Sequence, residues 1–327
     1  MPDPDPVTRR AAPVALDEVR AAAAVLDGIT HRTPVLSDDA LDETAGARLF
    51  CKAEALQRTG SFKLRGAYHA LHRVGAHARA HGVVAYSSGN FAQAVACAAR
   101  LLGTHATVVM PHDAPEGKAA ATRRQGAEIV RYDRYTEDRD VIAAELARQR
   151  GAPLVAPFDD PDVIAGQGTV ALELLEQVDD LDLLVVPVGG GGLAAGCTAV
   201  AAGLAPDMEV VGVEPAGRPA ARLALDRGEV VHVEVPRTLL DGQQTTHVGA
   251  HPLRVLHAHL DRVVGIGDEA VVGALRTALE RLHVLLEPSG ASALAAVLDG
   301  TVPVAGRRVG VVLSGGNLDL ARLRQLL

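Results

Sequence analysis

From Leu183 to Pro206 the chain carries no charged residue, and the stretch is long enough to cross a bilayer as a helix. Its interior forbids that reading. Pro187 and the four consecutive glycines from Gly189 to Gly192 would break a spanning helix. The segment instead reads as a buried strand, a glycine loop and a buried helix. The same pattern recurs along the sequence. VVAY (83–86), ATVVM (106–110), AEIVRY (127–132), LLVVPV (183–188), EVVGVE (209–214), RVVGIG (262–267) and RVGVVL (308–313) are short apolar runs without polar alternation. Such runs are strands of parallel sheet covered on both faces. Segments 89–102, 116–125, 136–149, 161–178, 192–204 and 268–283 have helical spacing and length. Strand–helix alternation predicts an α/β fold with parallel sheet.

A chain of 327 residues is too long for one small core. The turn-rich PFDDPD (157–162) marks a break. We expect a large domain from residues 1–56 and 151–327, with a small domain, 57–150 and its core at about 75–150, inserted in it. Aromatics are 2% and Trp is absent, so the cores must be close-packed aliphatics. A net charge of -8 argues against a nucleic-acid partner, which would require a basic face. Cys51, Cys97 and Cys197 form no CxxC pair and read as reduced, buried thiols of a cytoplasmic protein. The opening MPDPDPVTRR lacks the apolar core of a signal peptide and reads as a short lead. No membrane partner is expected.

Three loops that follow strands stand out: SSGN (87–90), VGGGGLAAG (188–196) and LSGGN (313–317). Small residues there would expose backbone N–H groups at a helix start, which is how proteins grip anions. The glycine loop is not a P-loop, because no GK[ST] follows. It matches a loose GxGxxA pattern, with Glu214 about 20 residues on, and so imitates a dinucleotide site. Four adjacent glycines suit a single phosphate at least as well. Lysine is rare: of 32 basic side chains only Lys52, Lys63 and Lys118 are lysines. Arginine stays protonated, whereas a lysine amine can act as nucleophile or base.

Lys63 follows a Gly-Ser-Phe turn in KAEALQRTGSFKLRGAYHAL (52–71). Together with SSGN, the glycine loop and LSGGN, it makes the sequence resemble the fold-type II pyridoxal-phosphate enzymes, most of all the threonine dehydratase and serine racemase group. The resemblance also takes in HRTPV (31–35), FDDPDVIAGQGT (158–169), VEP (213–215) and EPSGASA (287–293). It implies two domains, each an open, mostly parallel sheet flanked by helices, in a homodimer. It implies pyridoxal 5'-phosphate as cofactor, with Lys63 as its Schiff-base lysine and Phe62 against it. Asn90 would bond the ring hydroxyl. Gly189, Gly190, Gly191, Gly192 and Leu193 would bind the phosphate, and Ser314 would face the ring nitrogen. Ser87, Ser88, Gly89, Asn90 and Phe91 would form the substrate site, the first four holding the carboxylate of a small amino acid. A hydroxyl at Ser314 makes the ring a weaker electron sink than a carboxylate would, which favours elimination.

The implied activity is an ammonia-lyase acting on threonine or serine by default and yielding a 2-oxo acid and ammonia. Ser88 matches the position at which serine racemases place a second acid/base opposite the lysine, so a racemase is an alternative. A Ser88 that merely caps the following helix is the plain structural reading. Phe91 stands where the group usually has histidine, and QTTHVG (244–249) departs from the common form of a substrate-proximal loop. Both leave open hydroxyaspartate, an aryl-serine or another specialised substrate. Relatives bind a divalent cation through the acid of VEP and a second acid six residues later. Here Glu214 has only Ala220 at that place, with Arg218 between, so no metal is expected. A non-catalytic cofactor-binding protein and a nicotinamide oxidoreductase are the distant alternatives. The chain runs ten residues past Asn317, so no isoleucine-responsive regulatory domain is expected.

Overall fold

The computed structural model describes residues 13–217 and 219–327. The N-terminal lead and Arg218 lie outside the described residues. Among these residues ten strands occur: β1 (Val35–Leu36), β2 (Arg48–Ala53), β3 (Val83–Tyr86), β4 (Ala106–Pro111), β5 (Glu128–Tyr132), β6 (Leu154–Val155), β7 (Leu183–Pro187), β8 (Glu209–Pro215), β9 (Arg262–Ile266) and β10 (Arg308–Leu313). They form a six-stranded sheet, β1-β2-β10-β7-β8-β9, and a four-stranded sheet, β5-β4-β3-β6. Every pairing is parallel except β1 with β2. The chain enters the small sheet after β2 and leaves it after β6, which lies four residues beyond position 150.

The seven apolar runs correspond to β3, β4, β5, β7, β8, β9 and β10. Three strands escape the sequence pattern. β1 and β6 are two residues each, and β2 contains Arg48 and Lys52. Lys52 is nevertheless fully buried. Its Nζ donates to Glu173 at 2.7 Å, Gln177 Oε1 at 2.8 Å and the Thr33 carbonyl at 2.8 Å. A buried cation is tolerated when it is paired and fully hydrogen-bonded in this way.

Helices cover both faces of each sheet. One face of the large sheet packs the helices Pro161–Gln177 and Gly192–Leu204, and the other packs Asp268–Glu280 and Pro288–Leu298. The helix Lys63–Val74 packs against Pro161–Gln177 where Gly66 and Gly166 face each other; a Cβ on Gly166 would lie 2.6 Å from the Gly66 Cα. No side chain fits there, and the lysine helix is thereby held against the helix Pro161–Gln177. Beside that crossing, Arg65 is fully buried and bonds Glu54 at 2.8 Å and Glu173 at 2.7 Å. Glu54 also accepts from Thr33 Oγ1 at 2.6 Å. Glu54→Ala should therefore destabilise the fold by about 3–5 kcal/mol, because it strips a buried guanidinium of its fully buried carboxylate partner. A urea midpoint that hardly moves would refute this. No helix among the described residues is long and apolar enough to cross a membrane.

Candidate active site

Parallel register brings three loops to one edge. β2, β10 and β7 are neighbours, and their carboxyl ends release the lysine turn, LSGGN and the glycine loop side by side. Ligands of open α/β sheets bind beyond such ends. The lysine turn and LSGGN are joined through their backbones: Phe62 N–H donates to Ser314 O at 3.1 Å, and Gly316 N–H to Gly60 O at 2.9 Å. Gly60 has φ +73°, and any Cβ there would collide with the Asn317 amide. This turn therefore requires glycine both for its left-handed conformation and for the close approach. LSGGN does not open a helix, contrary to the sequence reading. After β10 the next helix begins only at Leu320, and the loop braces the lysine turn through the Ser314 carbonyl and the Gly316 N–H.

The other two loops do present amides. Among the described residues the N–H groups of Gly189 through Ala194 meet no protein acceptor, although Gly190 through Ala194 are buried. Buried donors are rarely left unpaired, and six consecutive ones around a helix start form an anion cradle. The loop is walled tightly. A Cβ on Gly190 would overlap the Phe158 ring, and one on Gly191, at φ +92°, would lie 2.8 Å from Pro252 Cβ. After β3, the N–H groups of Asn90, Phe91 and Ala92 likewise meet no protein acceptor at the start of the helix Asn90–Leu101. The capping position there is Gly89, whose N–H donates to Ser87 Oγ at 3.1 Å. Ser88 thus does not cap this helix, and its hydroxyl has no protein partner among the described residues.

Lys63 begins the helix Lys63–Val74. Its Nζ donates to the Pro157 carbonyl at 3.2 Å and lies 5.0 Å from the Phe62 ring and 5.6 Å from the Phe91 ring. No carboxylate contacts it among the described residues. Burial lowers its pKa from 10.5 to about 8, with the charge of Glu287 opposing. The other two lysines are ion-paired. Lys52 belongs to the network under β2, and Lys118 Nζ bonds Asp241 at 2.6 Å and Glu287 at 2.9 Å. Burial works against charge at Lys118 too, but Glu287 and Asp241 together hold it well above the usual lysine range. Lys63 alone of the three contacts no carboxylate among the described residues.

Ser314 follows β10, is buried, and lies 3.4 Å from the Ser289 carbonyl through Oγ. Both ends of the Asn90 amide are held: its Nδ2 donates to Glu287, and its Oδ1 accepts from Asn317 Nδ2 at 2.9 Å. Sequence reasoning assigned no role to Asn317 and none to Glu287. Glu287 is buried, and burial raises its pKa against the pull of Lys118. The only sequence signal for this network was the scarcity of lysine. A cavity of about 540 Å³ adjoins it, lined in part by Gln93, Lys118, Asp241, Glu287 and Asn317. Lys63, Ser314 and the glycine loop are not on its walls. Glu214 is committed to structure: its oxygens accept the N–H groups of Ala221 at 2.8 Å and Arg222 at 3.0 Å.

A buried amine with no carboxylate partner, a run of unpaired glycine amides and a second amide-lined helix start stand together on a scaffold of the fold-type II pyridoxal-phosphate enzymes. Residues 26–315 match the family described as pyridoxal-phosphate dependent enzymes, and the chain belongs to it. It is 44% identical over 310 residues to an L-threo-3-hydroxyaspartate ammonia-lyase of a Pseudomonas species, covering 95% of this chain and 97% of that protein. It is 43% identical over 297 residues to the L-threo-3-hydroxyaspartate ammonia-lyase of Saccharomyces cerevisiae, covering 91% of each. The solved structure of maize serine racemase superposes with a TM-score of 0.92 at 35% identity, over 96% of this chain and 97% of that one.

Proposed function

We propose that the chain is an ammonia-lyase that removes the β-hydroxyl and the α-amino group of 3-hydroxyaspartate, yielding the corresponding 2-oxo dicarboxylic acid and ammonia. The observation that carries this reading is the free, low-pKa amine of Lys63 between two amide-lined anion sites, in a chain whose relatives at 44% and 43% identity act on hydroxyaspartate. The substrate thereby moves from threonine or serine to the hydroxyaspartate that the unusual 244–249 loop had left open.

The residues present fit the cofactor. In our reading Gly189 to Leu193 hold its phosphate, Lys63 carries it, and Phe62, Asn90 and Ser314 flank its ring. When bound, it supplies the sink for the electrons released at Cα. The chain's own groups do the rest. The amides at Ser87–Phe91 fix the α-carboxylate. Lys63, with its pKa brought near 8, takes the Cα proton at neutral pH more readily than an ordinary lysine. Phe91 and Phe62 keep water from the amine. The hydroxyl of Ser88 has no protein partner among the described residues, so in our reading it is available as a second proton donor, and this one observation favours racemisation as a second activity.

The test is a panel of L-threo-3-hydroxyaspartate, L-serine and L-threonine, followed for 2-oxo acid, ammonia and chirality. We expect kcat/KM for hydroxyaspartate to exceed that for threonine by roughly tenfold or more, the scale of one charged contact. Faster turnover of threonine or serine restores the default substrate. Inverted amino acid without oxo acid makes the enzyme a racemase.

A further inference from the structure

The 244–249 loop has a use that the cofactor site does not explain. It docks on the glycine loop at both ends: a Cβ on Gly189 would lie 3.7 Å from Thr245 Cγ2, and Gly249 N–H donates to Gly190 O at 3.1 Å. Between these anchors stands His247. Its ring meets Phe158 edge-on, with centroids 5.7 Å apart, and leans on His232 at 4.6 Å. Phe158 is the residue that covers Gly190, and it follows Pro157, whose carbonyl receives Lys63 Nζ. His247 thus packs on the ring that covers Gly190, one residue along the chain from the carbonyl that receives Lys63 Nζ. Its Nδ1 lies 3.1 Å from Thr246 Oγ1, and its Nε2 has no protein partner among the described residues.

The charges around it come from both domains. Arg139, at the start of the helix Arg139–Arg150, sits 5.0 Å above the Tyr86 ring, and Tyr86 directly precedes Ser87. His232 approaches from the 229–237 segment, whose Val233 N–H bonds Thr246 O at 2.8 Å. Asp140 and Asp159 are the acids that face the ring. Both are engaged: Asp140 with the Tyr86 hydroxyl, and Asp159 with the His251 N–H at 2.7 Å. What remains open is a donor edge with positive neighbours. Among the described residues no third ligand joins the two histidines to make a metal site.

Taking the hydroxyaspartate reading as its basis, we infer that His247 is a specificity-determining residue: its Nε2–H donates to the side-chain carboxylate of the substrate and sorts dicarboxylic from monocarboxylic hydroxy amino acids. Burial first, then the charges of His232 and Arg139, hold the free His247 below the usual histidine pKa and hence neutral at pH 7. An arriving carboxylate favours the protonated ring. Binding therefore takes up a proton, and KM for hydroxyaspartate rises with pH from the free-enzyme pKa of His247 up to its value in the complex. A monocarboxylic substrate brings no such charge, so its KM has no slope from this group.

The experiment uses the cofactor-loaded enzyme with His247→Leu and His247→Asn, on L-threo-3-hydroxyaspartate and L-serine. For His247→Leu we expect KM for hydroxyaspartate to rise roughly tenfold or more, with kcat/KM for serine within about twofold of the parent. His247→Asn, which keeps a donor but cannot titrate, should recover most of the affinity and lose the pH slope. Equal losses on both substrates would mark His247 as merely structural, and no change on either would also overturn the inference. Turnover by the unaltered enzyme separates the two readings. If it ignores hydroxyaspartate, the substrate assignment falls and takes this role with it. If it acts on hydroxyaspartate while His247→Leu keeps the parent KM, only the role of His247 falls.

Discussion

Lys63→Ala should lower turnover by roughly 10²–10⁴-fold, the range associated with losing a positioned acid/base, and should abolish covalent attachment of the cofactor. Borohydride reduction followed by mass spectrometry reads the second effect directly: the parent chain gains the cofactor's mass and the variant does not. The expectation rests on the contrast among three lysines. Lys52 and Lys118 each contact a carboxylate within 3 Å, so each is a buried counter-ion. Lys63 contacts only a carbonyl, and its pKa falls to about 8. Lys52→Ala and Lys118→Ala serve as contrasts, because their reduced parent-type adduct at Lys63 should persist wherever the chain folds. A Lys63→Ala enzyme that still turns over at the parent rate would remove the foundation of the assigned chemistry.

Gly190→Ala carries the second large effect. Its methyl group would occupy the space of the Phe158 ring, and Phe158 cannot retreat freely, because His247 stands at its edge and its own backbone lies against Gly192. Pushing Phe158 displaces Pro157, the residue that positions the Lys63 amine. Overpacking of this kind costs about 1–3 kcal/mol. Cofactor affinity, measured by equilibrium dialysis, should fall at least roughly tenfold, because the same shift misaligns the amides around the phosphate. Gly273→Ala is the control. Gly273 lies inside the helix Asp268–Glu280, and a Cβ there would meet nothing within 4 Å. That change should raise stability by about 0.5–1 kcal/mol through helix propensity and leave cofactor affinity alone. Equal cofactor affinity in Gly190→Ala and the parent would mean that the cradle is elsewhere.

Several features were legible without coordinates because their physics is local. The continuous apolar runs encode strands buried on both faces, and seven of them became strands. Four consecutive glycines from Gly189 to Gly192 are incompatible with a strand or helix interior and so encode a loop. The scarcity of lysine and the Gly-Ser-Phe turn pointed to Lys63. Local reasoning failed where burial depends on a distant partner. β2 was hidden by Lys52, whose charge is acceptable only because Glu173, 121 positions away, lies against it. The helix Pro288–Leu298 was hidden by its two serines and by Gly290, which is glycine because a Cβ there would collide with the Gly315 carbonyl. Ser88 was read as a possible cap because serine is a common capping residue, but backbone geometry gave that position to Gly89.

The sequence by itself determined the α/β class, the family resemblance and the choice of Lys63 as the candidate lysine, since apolar periodicity, glycine and amine chemistry need no context. Only the tertiary structure decided which lysine amine is free of a counter-ion, that LSGGN braces the lysine turn instead of opening a helix, and that Glu287 joins Asn90 to Lys118. It also brought His247 to Phe158 and, through it, to the glycine loop. The reason is the same in each case. A side chain's charge and its work are set by the groups that folding places within a few ångströms, and those groups lie scores of positions apart along the chain.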